Sequence, residues 1–205
     1  DSLGQGHDLV YSSLAADVKP IVSVAATYIA ATGASFPMPD SVKVDLTFGG
    51  LSAPTLYFNN STLNLPNYAA QFADQISASS LATGHYQFTL TVTAYYGSRT
   101  STRVYTASQD IINRQSSEFG NGWTLAEQDR LAIQSGGVLW YSGTGATAWF
   151  ASNGSGGYTS PAGPLSASTL VLNSGGTYTL TDKLGNQENF SSAGLLTSRV
   201  DPNGN

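Results

Sequence analysis

Tyr86-Gln87-Phe88-Thr89-Leu90-Thr91-Val92 is the stretch on which the fold turns. Apolar or aromatic residues alternate with polar ones at every step, so an extended chain places Tyr86, Phe88, Leu90 and Val92 on one face and Gln87, Thr89 and Thr91 on the other. A helix would scatter both sets around its circumference. The segment therefore predicts a strand with one face in a core and the other in water.

Outward from it, six more segments before residue 107 are rich in β-branched or aromatic residues: 8–12, 21–30, 42–48, 55–59, 68–76 and 102–106. Turn formers separate them, including Gly49-Gly50 and Asn59-Asn60-Ser61. With 85–95 as the seventh, the set predicts an immunoglobulin/fibronectin-like β-sandwich over residues 1–108. Leu81-Ala82-Thr83-Gly84-His85-Tyr86 resembles a tyrosine corner leading into the strongest strand. Tyr68, Phe72 and Ile76 are spaced by four, which also suits a helix turn, and the segment is read as strand.

Beyond residue 108 the punctuation changes. Turn signals recur at Gly136-Gly137, Gly143-Thr144-Gly145, 153–157, Pro161-Ala162-Gly163, Gly175-Gly176, 182–186, Ala193-Gly194 and 201–205. Most intervals match one strand plus one turn of a meander, so residues 109–205 are predicted to form an antiparallel β-hairpin region. Asp182-x-x-Gly185-Asn186 returns 19 positions later as Asp201-x-x-Gly204-Asn205. Such a motif predicts a type I turn opened by the Asp side chain and closed by a glycine at positive φ. The open end at Asn205 is expected to be a raw strand edge.

Composition agrees with an all-β chain and removes several functions. Of 205 residues only 10% are charged, and 27 Ser and 21 Thr fill the deficit. A net charge of −5 with eight scattered basic residues supplies no field for phosphates, so nucleic acid is not expected as a partner. The longest apolar stretch, 21–31, is too short to span a bilayer as a helix, and no membrane insertion is expected. With no cysteine there are no disulfides, zinc–thiolate sites or cysteine nucleophiles. The chain opens without Met and closes on a turn signal, as expected for a piece of a longer protein.

Phe119-Gly120-Asn121-Gly122-Trp123-Thr124-Leu125, Asp129-Arg130-Leu131, Gly137-Val138-Leu139-Trp140, Gly157-Tyr158-Thr159-Ser160-Pro161-Ala162-Gly163 and the segment from Tyr178 to Thr197 resemble the start of an array in the RHS/YD-repeat family. Asp201-Pro202-Asn203-Gly204-Asn205 is similar to the turn that opens a further repeat, and Asp8-Leu9-Val10-Tyr11-Ser12 to a strand found upstream of such arrays. The resemblance implies a bacterial secreted or cell-surface protein whose repeats build a hollow β-shell, with a fibronectin-like sandwich at one end. Its implied partner is the remainder of its own polypeptide. The family's self-cleavage residues have no counterpart here, and full Tyr-Asp repeats are absent.

No Gly-x-Ser-x-Gly elbow accompanies His7 or His85, the Gly-rich stretches lack the Lys-Ser/Thr of a phosphate loop, and most aspartates sit in turns. A non-enzymatic module without cofactor or metal is therefore expected. Calcium binding through Asp182, Asn186, Asp201 or Asn205 is the alternative to turn formation, which is the reading preferred. Trp140, Trp149 and Tyr158 are the candidate ligand-binding residues, because exposed flat rings stack on sugars, and surface glycans or a partner cell would then be contacted. Packing is the competing role, since aromatics dominate such cores. Trp123 is expected to be buried. Lys43 and Asp45 share a strand face, where a Lys–Asn crosslink is the alternative to an ordinary exposed lysine.

Overall fold

The computed structural model describes residues 7–27, 38–61 and 69–205. Within these the chain is all-β apart from one short helix. The strands are β1 Leu9–Tyr11, β2 Ile21–Thr27, β3 Ser41–Phe48, β4 Leu51–Ser52, β5 Leu56–Asn59, β6 Ala69–Gln75, β7 Gly84–Tyr96 and β8 Arg99–Ile111. They continue as β9 Trp123–Leu125, β10 Arg130–Gln134, β11 Gly137–Tyr141, β12 Thr147–Ser152, β13 Tyr158–Thr159, β14 Thr169–Leu172, β15 Tyr178–Thr181, β16 Gln187–Phe190 and β17 Leu196–Val200. The helix, α1 (Ser13–Ala16), is capped by Ser12, whose hydroxyl accepts the Ala15 N–H. The predicted extensions at 28–30 and at Tyr68 lie outside the described residues.

Two compact units result, and they interleave in sequence. One comprises residues up to Asp17, Ala82–His85 and Asp110–Asn205; the other comprises Val18–Leu81 and Tyr86–Gln109. The sequence reading cut the chain once, after residue 108. The observed grouping differs because β1 pairs antiparallel with β9, Tyr11 opposite Trp123, which takes the first described residues into the unit of the later strands.

In the unit of Val18–Leu81 and Tyr86–Gln109, β2 pairs with β6, and a second sheet runs β4-β3-β7-β8 with β5 also on β3. Val42, Val44, Leu46 and Phe48 of β3 are buried, as are Leu90, Val92 and Ala94 of β7, so both strands turn alternate residues inward. Phe58 of β5 meets Phe72 of β6 at 5.5 Å between ring centroids, which brings the two sheets together. In β6 the buried residues Ala70, Phe72 and Asp74 fall two apart. The spacing of four from Phe72 to Ile76 is thus two strand periods.

The other unit holds two four-stranded antiparallel meanders, β10-β11-β12-β13 and β14-β15-β16-β17. Leu131, Val138, Ala148 and Phe150 from the first and Leu170, Tyr178, Leu180 and Phe190 from the second form one apolar cluster. At one margin the Leu131 N–H donates to the Gly194 carbonyl (2.8 Å).

The predicted turn recurs through this unit. Gly145, Gly176, Gly185, Gly194 and Gly204 all have φ between 78° and 97°. Each donates its N–H to the carbonyl three residues back, at Ser142, Asn173, Asp182, Ser191 and Asp201. The Asp182 and Asp201 carboxylates also accept the N–H groups two and four residues on. These bonds hold both carboxyls below the usual carboxylate range, led at Asp182 by the Asn186 side chain and at Asp201 by the Asn205 backbone N–H.

Candidate functional site

The strand register assembles a polar group at one end of the apolar cluster. Glu188 on β16 lies opposite Arg199 on β17 and opposite Leu180 on β15. The Arg199 Nε donates to Glu188 Oε1 at 3.0 Å, the cross-strand ion pair this register makes available. Trp140, on the facing meander, sits opposite Ala148 on β12 and donates its Nε1–H to Glu188 Oε2 at 3.2 Å. Arg199 Nη2 reaches Asp129 Oδ2 (2.5 Å) and the Glu127 carbonyl (3.0 Å).

Asp129 precedes β10 and is buried. Burial, reinforced by the hydrogen-bonded carboxyl of Glu188, raises its pKa to about 6 against the opposing pull of Arg199. Beside this group opens a cleft of about 500 Å³, with Trp140, Leu165 and Leu180 apolar and Asn186, Glu188 and Arg199 polar along its lining. Its size is that of a small-molecule site.

The three aromatics singled out in the sequence do not share one surface. Trp140 lines the cleft and packs against the apolar cluster. Tyr158, also packed there, meets Tyr178 at 6.4 Å. Trp149 lies on the opposite face of its sheet, since its neighbour Phe150 is the one in the cluster. There it stacks on His85 with centroids 4.4 Å apart and planes 8° from parallel, while His85 Nδ1 lies 2.6 Å from Asp110 Oδ1.

Trp123 corrects the expectation of a buried anchor. It is 40% exposed, because β9 is a three-residue strand whose inward position belongs to Thr124, and its ring leans on Tyr11 at 5.3 Å. Lys43 and Asp45 form an ion pair (2.9 Å), with Thr55 donating to the same carboxylate. The Asp182/Asn186 and Asp201/Asn205 pairs are bonded to one another, each Asn Nδ2 donating to its Asp Oδ2. Among the described residues no three metal-ligating side chains converge.

In the sequence Asp129 stands out only within a motif and Glu188 is not singled out, so the two are not joined there. The one available signal was that Glu188 shares a strand face with Phe190, the buried side of β16. No protein-family model matches the chain, and no curated protein matches it.

Proposed function

We propose that this chain is a non-enzymatic structural module of a large secreted or cell-surface protein of the RHS/YD-repeat kind, where it plugs or starts a β-shell used for encapsulation or surface interaction. The supporting observation is the serial Asx/Ser-x-x-Gly turn. The 182–186 and 201–205 turns repeat one hydrogen-bond pattern down to the Asp–Asn side-chain contact. A repeating hairpin buries its apolar face only against neighbours, so a serial turn suits an extending sheet. β17 is the outermost strand of its meander, with one edge available for a further strand.

Peptide mapping of the native parent polypeptide tests this reading. A species well above 21.4 kDa carrying more Asx-x-x-Gly turns at similar intervals is expected. A native product that ends within a few strands of Asn205 overturns it.

The cleft beside Trp140 favours a second reading, a carbohydrate-binding or adhesion module. Apolar and polar side chains lining one cleft suit a sugar ring, which has apolar faces and polar edges. Under this reading a glycan binds the folded chain and Trp140→Phe, which keeps a ring against the apolar cluster, weakens it several-fold with only a small fall in melting temperature; glycan binding unchanged in Trp140→Phe assigns Trp140 to packing instead.

A further inference from the structure

A second cavity, of about 700 Å³, lies in the same unit and is lined by Arg114, Arg130, Tyr141 and Gln128 together with Thr83 and Glu118, among others. Arg114 is the unusual member. It is only 7% exposed, yet among the described residues no carboxylate lies within ion-pair distance of it. A guanidinium withdrawn from water is costly unless its donors are met and its charge is countered.

Its Nη2 donates to the Ser142 and Gly143 carbonyls at 2.9 and 3.0 Å, which fixes the plane of the group. These are the hydrogen bonds its side chain makes. The one fully buried side-chain polar atom left without a partner among the described residues is Asp74 Oδ2. Among the described residues Nε and Nη1 have no hydrogen-bond partner, and Arg114 is one of the residues that line this cavity.

The other charges facing the cavity are Arg130 and Glu118, joined at 2.7 Å, with Glu118 61% exposed at the rim. Gln128 Nε2 also leans on Glu118, at 3.5 Å. Because this pair cancels, the described residues of the lining keep the positive charge of Arg114 uncompensated, on a chain whose net charge is −5. Around it stand hydroxyl and amide side chains and a small apolar patch at Leu195 and Leu196.

We propose that this cavity binds an acidic saccharide, a hexuronate or a glycan ending in one, whose carboxylate is received by Arg114 and whose hydroxyls meet the polar lining. With Nη2 committed to the Ser142 and Gly143 carbonyls, a carboxylate is met by single charge-assisted hydrogen bonds from Nε or Nη1 and not by a fork, and the fixed plane of the group lowers the ordering cost of binding. Neither reading under the proposed function is required for this site. The cleft beside Trp140 is lined by different residues.

Isothermal titration of the folded chain with glucuronate tests the proposal, with glucose and acetate as the neutral-sugar and bare-carboxylate arms. Glucuronate is expected to bind with a Kd of roughly 0.1–5 mM, glucose and acetate at least about tenfold more weakly, and added NaCl to weaken the binding. Arg114→Gln abolishes it. Because Arg114 also ties two turn carbonyls, Glu118→Gln provides the second variant. It removes an exposed carboxylate that competes for Arg130 and is expected to tighten glucuronate binding several-fold. Absence of saturable glucuronate binding overturns the site, as does unchanged affinity in Glu118→Gln. Equal affinity for glucose or for acetate overturns its assignment to an acidic sugar.

Discussion

Arg199 and Asp129 lie 70 residues apart and are joined by a 2.5 Å contact that ties the outermost strand of one meander to the residue before the first strand of the other. The same guanidinium is shared with Glu188, so three charges and the Trp140 indole form one connected group at the edge of the apolar cluster. Replacing Arg199 by Met removes the one cation that, among the described residues, pairs with two hydrogen-bonded carboxyls, one of them buried. The expected cost is about 1–2 kcal/mol, kept modest because Arg199 is half-exposed, and urea denaturation at pH 7 reads it as a lowered midpoint.

Asp129 makes stability depend on pH in the direction opposite to an ordinary paired carboxylate. Its folded pKa of about 6 lies above the unfolded value of 3.8. Between these values the folded state holds more protons than the unfolded one, so stability falls as pH rises through that window. Asp45, Asp182 and Asp201 have lowered values and lose their contributions only at more acidic pH. Relative to Asp129→Asn, the wild type is expected to lose on the order of 1–3 kcal/mol between about pH 4 and pH 7. Urea midpoints of both proteins across that range give the difference; a constant difference refutes the prediction.

Gly194 and Gly204 occupy the same place in two copies of one turn, with φ of 78° and 88°. Their surroundings differ. A Cβ on Gly194 would lie 2.1 Å from the Leu131 carbonyl oxygen, whereas one on Gly204 meets nothing within 4 Å. Gly204→Ala is therefore expected to cost about 1 kcal/mol of backbone strain. Gly194→Ala adds a backbone clash at the junction of the two meanders and should cost upwards of about 3 kcal/mol. Thermal melts of the two variants side by side separate turn strain from crowding.

Asp74 is a polar residue at an inward position of β6, 8% exposed, with Oδ1 accepting the Gln75 N–H and Oδ2 unpartnered. An unsatisfied buried oxygen carries a desolvation cost that an apolar side chain of similar width avoids. Asp74→Val also suits a strand opposite Val22. The expected gain is about 1 kcal/mol, measured as a raised urea midpoint, and a loss of stability would show that the Gln75 bond outweighs the orphaned oxygen.

Period and turn chemistry carried most of the fold in legible form. Alternation in 86–92 places Leu90 and Val92 in the core as expected, and Asp-x-x-Gly-Asn forms the turn its residue types require. What was not legible is long-range pairing. Nothing in Leu9-Val10-Tyr11 selects Trp123-Thr124-Leu125 as its partner, and so neither the interleaving of the units nor the exposure of Trp123 could be read. The polar group around Arg199 was hidden for the same reason. Asp129, Glu188 and Arg199 are ordinary surface types in sequence, and only the apposition of two sheets makes neighbours of them.

Trp149 tests the competition between packing and binding for a residue that the sequence marks for either. One face of its ring is covered by His85, which Asp110 holds at Nδ1. At its edge Gly137 leaves space, for a Cβ there would approach Trp149 Cζ2 to 2.7 Å. A ring stacked on a fixed imidazole and fitted against a glycine has its contacts met within the protein. Trp149→Ala is thus expected to lower stability by about 3 kcal/mol, and Trp149→Phe, which keeps a smaller flat ring on His85, by about 1–2 kcal/mol. His85→Ala should cost less than Trp149→Ala, and the double variant less than the sum of both, because the two residues share one contact. Denaturation midpoints of the four proteins close the cycle. If Trp149→Ala melts like the wild type, the ring is not a packing element and its place among the glycan-contacting candidates is restored.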